Sequence, residues 1–161
     1  MLKKVAILAN GGDVAGFNAV IRGIKKTCEE KKIECYGFIE GYKGLLENNI
    51  VRLDNQEISS GILSKGGSII GSSTNYNVFN FKVEVNGQTV YKDLSEKCIQ
   101  NIKDDGFDCV FTLGGDGTQK SARDFSLKGI NVIGIPKTMS TIVRKCRSSD
   151  SSPATSRELT T

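Results

Sequence analysis

Histidine is absent from this chain of 161 residues, tryptophan is absent too, and proline occurs only twice. Without histidine the protein has no imidazole to act as a general base or metal ligand, which excludes histidine-dependent catalysis and disfavours a zinc site. The five cysteines form no Cys-x-x-Cys pair, so neither a paired-cysteine metal site nor a dithiol redox motif is indicated. The chemistry must therefore come from other groups.

Long apolar runs are also lacking. No segment approaches the roughly 20 residues of a membrane-spanning helix, and Met1–Lys4 leads into a short apolar segment that is typical of a first core strand, not of a signal peptide. Because the five cysteines show no pairing pattern, we expect the protein to reside in a reducing compartment, the cytoplasm. The net charge of +4 is dispersed, and we expect neither nucleic acid nor a membrane as a partner.

Two glycine-rich turns are the most informative feature that is present. The segments VAILANGGDVAGFNAVIR at 5–22 and FTLGGDGT at 111–118 each run from an apolar strand through paired glycines and an aspartate into a helix. Glycine lets the backbone turn sharply close to an anion, and the following helix N-terminus adds N–H donors and a positive dipole end. The two turns predict a phosphate-binding site.

Strands and helices alternate along the chain. We predict strands at 5–9, 33–39, 68–71, 107–113 and 131–135, helices at 16–31, 94–103 and 118–127, and a turn at 41–44. This alternation predicts an α/β fold with a doubly wound parallel sheet, whose ligand crevice lies at the carboxyl ends of the strands. Alternating residues around Asn86-Gly87 predict an inserted β-hairpin over 81–91.

The last 22 residues differ from the rest. Ten residues of 140–161 are serine or threonine, and the apolar positions have no period. We therefore expect a disordered tail over 140–161 after an α/β domain over 1–139.

The segments GGDVAGFNAVIRG at 11–23, GGDGT at 114–118 and PKT at 136–138 resemble, in this order, the 6-phosphofructokinases. The resemblance covers residues 1–139 and implies the Rossmann-like N-terminal half, or less, of a homo-oligomeric enzyme. That enzyme transfers the γ-phosphoryl of ATP to fructose 6-phosphate, giving fructose 1,6-bisphosphate in glycolysis. NAD kinases and lipid kinases share GGDGT alone, which leaves them as a weaker alternative.

The resemblance also implies a nucleotide site. Gly11 would let the backbone lie against the nucleotide phosphates, while Gly115, Gly117 and Thr118 would shape a phosphate cradle. Asp116 would hold Mg²⁺ directly or through water, because this hard cation prefers carboxylate oxygen. A glycine at Gly117 leaves room for ATP, whereas pyrophosphate-dependent relatives often carry aspartate there, so ATP is the expected donor ahead of pyrophosphate.

Four side chains near these motifs have plainer interpretations, and a fifth does not distinguish the two phosphoryl donors. Asp13 is either a ligand of the site or a cap of the next helix. Tyr42 either stacks on a nucleobase or packs its turn. Arg22 and Lys120 are interpreted as helix-surface charges, and Lys137 is shared by ATP- and pyrophosphate-dependent relatives.

Three departures from the family pattern affect the expected function. Ala15 replaces a proline, and residues 72–75 lack an arginine that contacts nucleotide phosphate in the family. After the substrate-adjacent Thr138, Ser140 stands where the family has the aspartate that removes a proton from the sugar hydroxyl, and serine cannot accept a proton at neutral pH. We therefore expect a truncated, inactive fragment, the alternative being a non-catalytic nucleotide-binding or subunit-interaction module.

Overall fold

The computed structural model describes residues 2–12, 16–53, 62, 66–74, 76–85 and 87–137. Its strands are β1 (Lys4–Ala9), β2 (Glu34–Phe38), β3 (Ile50–Arg52), β4 (Phe81–Val85), β5 (Gln88–Lys92), β6 (Cys109–Gly114) and β7 (Val132–Pro136). Its helices are α1 (Phe17–Glu30), α2 (Tyr42–Glu47), α3 (Ser95–Asp104) and α4 (Asp116–Leu127). Five strands form one sheet in the order β3-β2-β1-β6-β7, and β4 and β5 form a separate hairpin.

Strand β1 lies at the centre of the sheet. It pairs in parallel with β2 on one side and with β6 on the other, and β7 continues the parallel arrangement beyond β6. Its apolar run from Val5 to Ala9 is buried along its whole length, as expected for a parallel strand that is covered on both faces. The predicted parallel core of the sheet is confirmed.

Helices cover both faces of the sheet. Alternate residues of β1 point to opposite sides, so the strand contributes apolar side chains to a separate cluster on each face. On one face Val5 and Ile7 belong to the same apolar cluster as Phe17 of α1. On the other face Ala6 and Leu8 share a cluster with residues of α2, α3 and α4. The doubly wound α/β architecture predicted from the sequence is therefore confirmed.

Two local predictions are wrong, and one strand was not predicted. The expected turn at 41–44 is the start of α2. The expected strand at 68–71 is a turn in which the Gly71 N–H donates to the Ser68 carbonyl over 3.0 Å, and the side chain of Ile70 packs over Gly37. That burial explains the apolar pair without strand pairing. Strand β3, which is antiparallel to β2, was not predicted.

The predicted hairpin is confirmed. Strands β4 and β5 are antiparallel in a register that pairs Val85 with Gln88, so two residues form the connection, and Gly87 has φ 77°. The base of the hairpin is anchored to the body of the protein, because the Leu94 N–H donates to the Val78 carbonyl over 2.7 Å and Phe79 packs edge-on against Phe125.

Several predictions fall on residues outside the described ranges. These are the disordered tail over 140–161 with its boundary after 139, and the roles of Asp13, Ala15, Thr138 and Ser140. They stay predictions. Within the described ranges no helix combines the length and apolar character needed to cross a bilayer.

Buried thiols make the fold sensitive to alkaline pH. Burial raises the pKa of Cys98 from 9.0 to about 12, and burial raises the pKa of Cys35 as well. Because the pKa of these thiols is higher in the folded state than in the unfolded state, their contribution to the free energy of unfolding is complete below about pH 9. That contribution is lost as the pH rises toward 12. We expect the free energy of unfolding to fall by up to about 1.4 kcal/mol per pH unit for each such thiol above about pH 9.

Urea unfolding at a series of pH values measures this slope. The variant Cys98→Ala is the control, because it removes one titrating thiol, and its slope should be shallower. An identical slope in both proteins would contradict the assignment to Cys98.

Candidate functional site

The two glycine-rich turns lie against each other at the carboxyl ends of adjacent strands. The Asn10 N–H, just after β1, donates to the Leu113 carbonyl of β6 over 2.9 Å. The Thr118 hydroxyl donates back to the Asn10 carbonyl over 3.3 Å. A Cβ built on Gly11 would lie 4.0 Å from the Thr118 Oγ1. The sequence-based expectation that both turns reach one place is confirmed.

Glycines of the second turn serve two different purposes. A Cβ on Gly114 would collide with the Asn10 carbonyl oxygen and with the Thr118 side chain, so glycine is needed for the turns to touch. A Cβ on Gly117 would meet no heavy atom within 4 Å. Gly117 therefore borders open space at the first turn of α4, which is space that a ligand can fill.

The N-terminus of α4 faces this space with backbone donors. Gly115 precedes the helix and its carbonyl accepts the first helical bond, from the Gln119 N–H over 3.0 Å. The N–H groups of Asp116, Gly117 and Thr118 have no acceptor within a helix that begins here. Such a terminus favours an anion such as phosphate.

Asp116 supplies the exposed carboxylate of the site. Its side chain is 65% exposed, and its Oδ2 lies 3.1 Å from the Nζ of Lys120, one turn along α4. Lys120 is thus on the helix surface, as expected, but it is paired with the predicted metal ligand. The described residues contain no group of three or more metal-ligating side chains. One carboxylate completed by water and phosphate oxygens is nevertheless a usual environment for Mg²⁺.

Asn10 connects both turns to α2. Its side chain is buried, and its Oδ1 accepts a hydrogen bond from the Tyr42 N–H over 3.4 Å. Sequence analysis missed Asn10, although a polar residue that ends an apolar strand directly before Gly11-Gly12 is a recognisable pattern. The structure assigns it the role of fixing the spacing between three loops.

Tyr42 packs in the core and is not available to a nucleobase. It is 1% exposed, its ring stacks on Phe125 with the centroids 6.1 Å apart, and its hydroxyl donates to the Thr118 carbonyl over 3.5 Å. Burial raises the pKa of this phenol. Of the two alternatives for Tyr42, the structure supports packing.

Gly11 is engaged by a third loop. Its N–H donates to the Ser73 carbonyl over 2.9 Å, and its φ is 97°. The donor is therefore satisfied within the protein, so Gly11 can serve a ligand by close approach of its backbone but not by this N–H. Ser73 belongs to the segment that lacks the expected arginine, and that segment does lie beside the first glycine turn.

Lys137 brings a cation to the same edge of the sheet. It follows β7, and its N–H donates to the Gly114 carbonyl over 2.9 Å. A Cβ on Gly16 would lie 2.8 Å from the Lys137 Cε and 3.5 Å from its Nζ. The lysine side chain therefore lies along the glycine that precedes α1, beside both turns.

Comparison with known proteins gives a consistent result. The phosphofructokinase family model matches residues 4–147. The chain is 49% identical over 140 residues to ATP-dependent 6-phosphofructokinase 2 of Clostridium perfringens, and 36% identical over 139 residues to ATP-dependent 6-phosphofructokinase of Vibrio campbellii. These matches cover 86% of this chain but only 38% and 40% of those relatives.

Solved structures show the same architecture. A phosphofructokinase of Pichia pastoris superposes with a TM-score of 0.70 at 26% identity, over 86% of this chain and 15% of that one. A pyrophosphate-dependent phosphofructokinase of Nitrosospira multiformis superposes with a TM-score of 0.69 over 86% of this chain and 34% of that one, and at 21% identity it supports the fold alone. Since the family model matches residues 4–147, which is most of the sequence, the chain belongs to the phosphofructokinase family.

Proposed function

We propose that this chain forms the nucleotide-binding part of an ATP-dependent 6-phosphofructokinase, which phosphorylates fructose 6-phosphate. The observation that carries the proposal is the contact between the two glycine turns beside the N-terminus of α4, through the hydrogen bond from Thr118 to Asn10. Relatives named as ATP-dependent 6-phosphofructokinases, at 49% and 36% identity, support the choice of reaction.

The described residues of the site have distinct parts in this proposal. The N–H groups at the start of α4 bind phosphate oxygens, and Gly117 leaves them accessible. Asp116 exchanges its ion pair with Lys120 for Mg²⁺, and Lys137 places positive charge beside the phosphates. Bound ATP would supply the phosphoryl group, and Mg²⁺ would offset the negative charge that develops during transfer.

ATP is the proposed donor in preference to pyrophosphate. The open space beside Gly117 supports this choice, because an aspartate there would put a second carboxylate next to Asp116 and reduce the space left for a nucleotide. The described cysteines are free thiols, which supports a reducing compartment, and we place the protein in the cytoplasm.

Ser140 favours a second candidate, a non-catalytic nucleotide-binding module. A positioned general base contributes about 10²–10⁴-fold to a rate, and we infer from the resemblance that Ser140 stands where the family carries this base. We propose that the polypeptide of 161 residues binds MgATP without turning over fructose 6-phosphate.

Calorimetric titration and a coupled phosphofructokinase assay on the purified polypeptide test both parts. We expect MgATP to bind more tightly than magnesium pyrophosphate, and turnover to stay at background. The variant Ser140→Asp should stay at background as well, because the chain matches only 38% of the length of the Clostridium perfringens relative.

The intact Clostridium perfringens enzyme is the positive control for the assay. Absence of MgATP binding would contradict the nucleotide site. Turnover well above background in the unmodified polypeptide would contradict the non-catalytic assignment and leave the nucleotide site standing.

A further inference from the structure

The outer edge of β4, in the β4–β5 hairpin, is not paired with any strand of the described residues. In a hairpin closed by two residues the flanking pair, here Val85 and Gln88, is hydrogen-bonded, and the pairs then alternate along the ladder. The backbone N–H and C=O groups of Lys82 and Glu84 therefore point away from β5. In the described part of the chain β4 has no neighbouring strand other than β5.

The side chains of β4 divide between an apolar and a charged face. Val83 lies opposite Val90, and Val85 and Val90 are 42% and 40% exposed. On the other face Lys82 lies opposite Tyr91 and Glu84 lies opposite Thr89. Neither charge has an opposite charge across the hairpin. A two-stranded sheet with exposed valines is at best marginally stable in water, so this hairpin gains from a further partner.

The sequence of β4, Phe81–Val85, is self-complementary. If a second copy of the strand runs antiparallel about a two-fold axis at Val83, each Lys82 lies opposite the Glu84 of the other copy. These are the two residues whose backbone groups point outward, so both pairs are also hydrogen-bonded pairs of the new ladder.

We propose that β4 pairs with β4 of a second copy of this chain, which forms a four-stranded antiparallel sheet with the order β5-β4-β4-β5. The valines at 83 and 90 from both copies then form a continuous apolar strip on one face. Two cross-strand ion pairs lie on the other face, and such pairs stabilise a sheet. The contact is isologous and closes as a dimer.

Charged residues on an edge strand ordinarily prevent pairing. In β4 the two charges favour one particular pairing, because a two-fold axis at Val83 places each charge opposite a charge of the other sign. A shift of one residue along the strand removes this match. The outer edge of β5 presents Thr89 and Tyr91 and offers no comparable charge pattern. The inference is independent of the proposed function, since no residue of the glycine turns takes part.

Cross-linking tests the position of the axis. In the full chain with Cys146→Ser, the variant Val83→Cys should form a disulfide-linked dimer on mild oxidation. The two Cα atoms of this pair lie about 4.5 Å apart, within the usual range for a disulfide, about 4.4–6.8 Å. The matched control is Val90→Cys, whose two copies would be three strand spacings apart, about 14 Å, and it should stay monomeric on a non-reducing gel. Equal cross-linking of both variants, or of neither, overturns the proposal.

Charge reversal tests the pairing itself. Sedimentation velocity over about micromolar to millimolar concentrations should show a dimer that weakens about tenfold in either Lys82→Glu or Glu84→Lys, because each places two like-charge pairs opposite each other. The double variant with both reversals should recover the affinity of the unmodified chain. A chain that stays monomeric at every concentration, or a double variant as weak as the single ones, overturns the proposal.

Discussion

Replacing Asp116 with alanine is expected to abolish Mg²⁺-dependent binding of ATP. The Asp116 carboxylate is exposed at the N-terminus of α4, and the described residues contain no group of three or more metal-ligating side chains. A cation held by one carboxylate and by phosphate loses its protein ligand in this variant, and we expect the gain in ATP affinity that Mg²⁺ provides, about a hundredfold, to disappear. Calorimetric titration with ATP, in the presence of Mg²⁺ and then of a chelator, measures the effect.

Asp124→Ala is the matched control. Asp124 lies on the same helix but two turns further on, and its carboxylate pairs with Arg123 over 2.8 Å. This variant should bind MgATP like the unmodified protein, and Asp13→Ala should weaken binding less than Asp116→Ala does. Equal losses of MgATP affinity in Asp116→Ala and Asp124→Ala would show that the effect comes from the change in net charge and not from the loss of a metal ligand.

Two glycine-to-alanine variants should separate stability from binding. In Gly114→Ala the new methyl collides with the Asn10 carbonyl oxygen and the Thr118 side chain, and we expect a loss of about 3 kcal/mol in the free energy of unfolding. In Gly117→Ala the methyl enters open space within a helix, where alanine is favoured over glycine by up to about 1 kcal/mol. Urea unfolding should therefore show no loss of stability for Gly117→Ala.

Nucleotide affinity should respond differently in the second variant. The methyl of Gly117→Ala occupies the space assigned to the ligand, so we expect MgATP to bind about tenfold more weakly to a protein that is fully folded. Unchanged affinity in Gly117→Ala would place the nucleotide elsewhere. Unchanged stability in Gly114→Ala would show that the two turns are not in the close contact described.

The parts of the fold that could be predicted from sequence are those determined by local pattern. The apolar run of β1, the helical spacing after Gly16 and the turn at Gly87 each follow from neighbouring residues. Placement of both glycine turns at one edge followed from the general rule for parallel sheets. These predictions needed no knowledge of which side chains meet.

Other features depend on contacts between residues distant in sequence. Ile70 resembles a strand residue, but it packs over Gly37 and lies in a turn. Tyr42 is buried because Phe125, which is 83 positions later, stacks on it. The Ser73 carbonyl engages Gly11 through a loop whose position no local pattern specifies.

The pairing of β1 with β6 has a consequence for the order of folding. The register joins residues 5–9 to residues 109–113, so the two halves of the proposed phosphate site are separated by about a hundred positions along the chain. Contacts of such high sequence separation form slowly, since the entropy of closing the intervening loop is lost before they stabilise the fold. During synthesis the first glycine turn emerges well before its counterpart, and at about 5–20 residues per second it waits for roughly 5–20 seconds. Throughout that interval β1 is a nascent apolar strand with one edge unpaired, a form that is prone to aggregation.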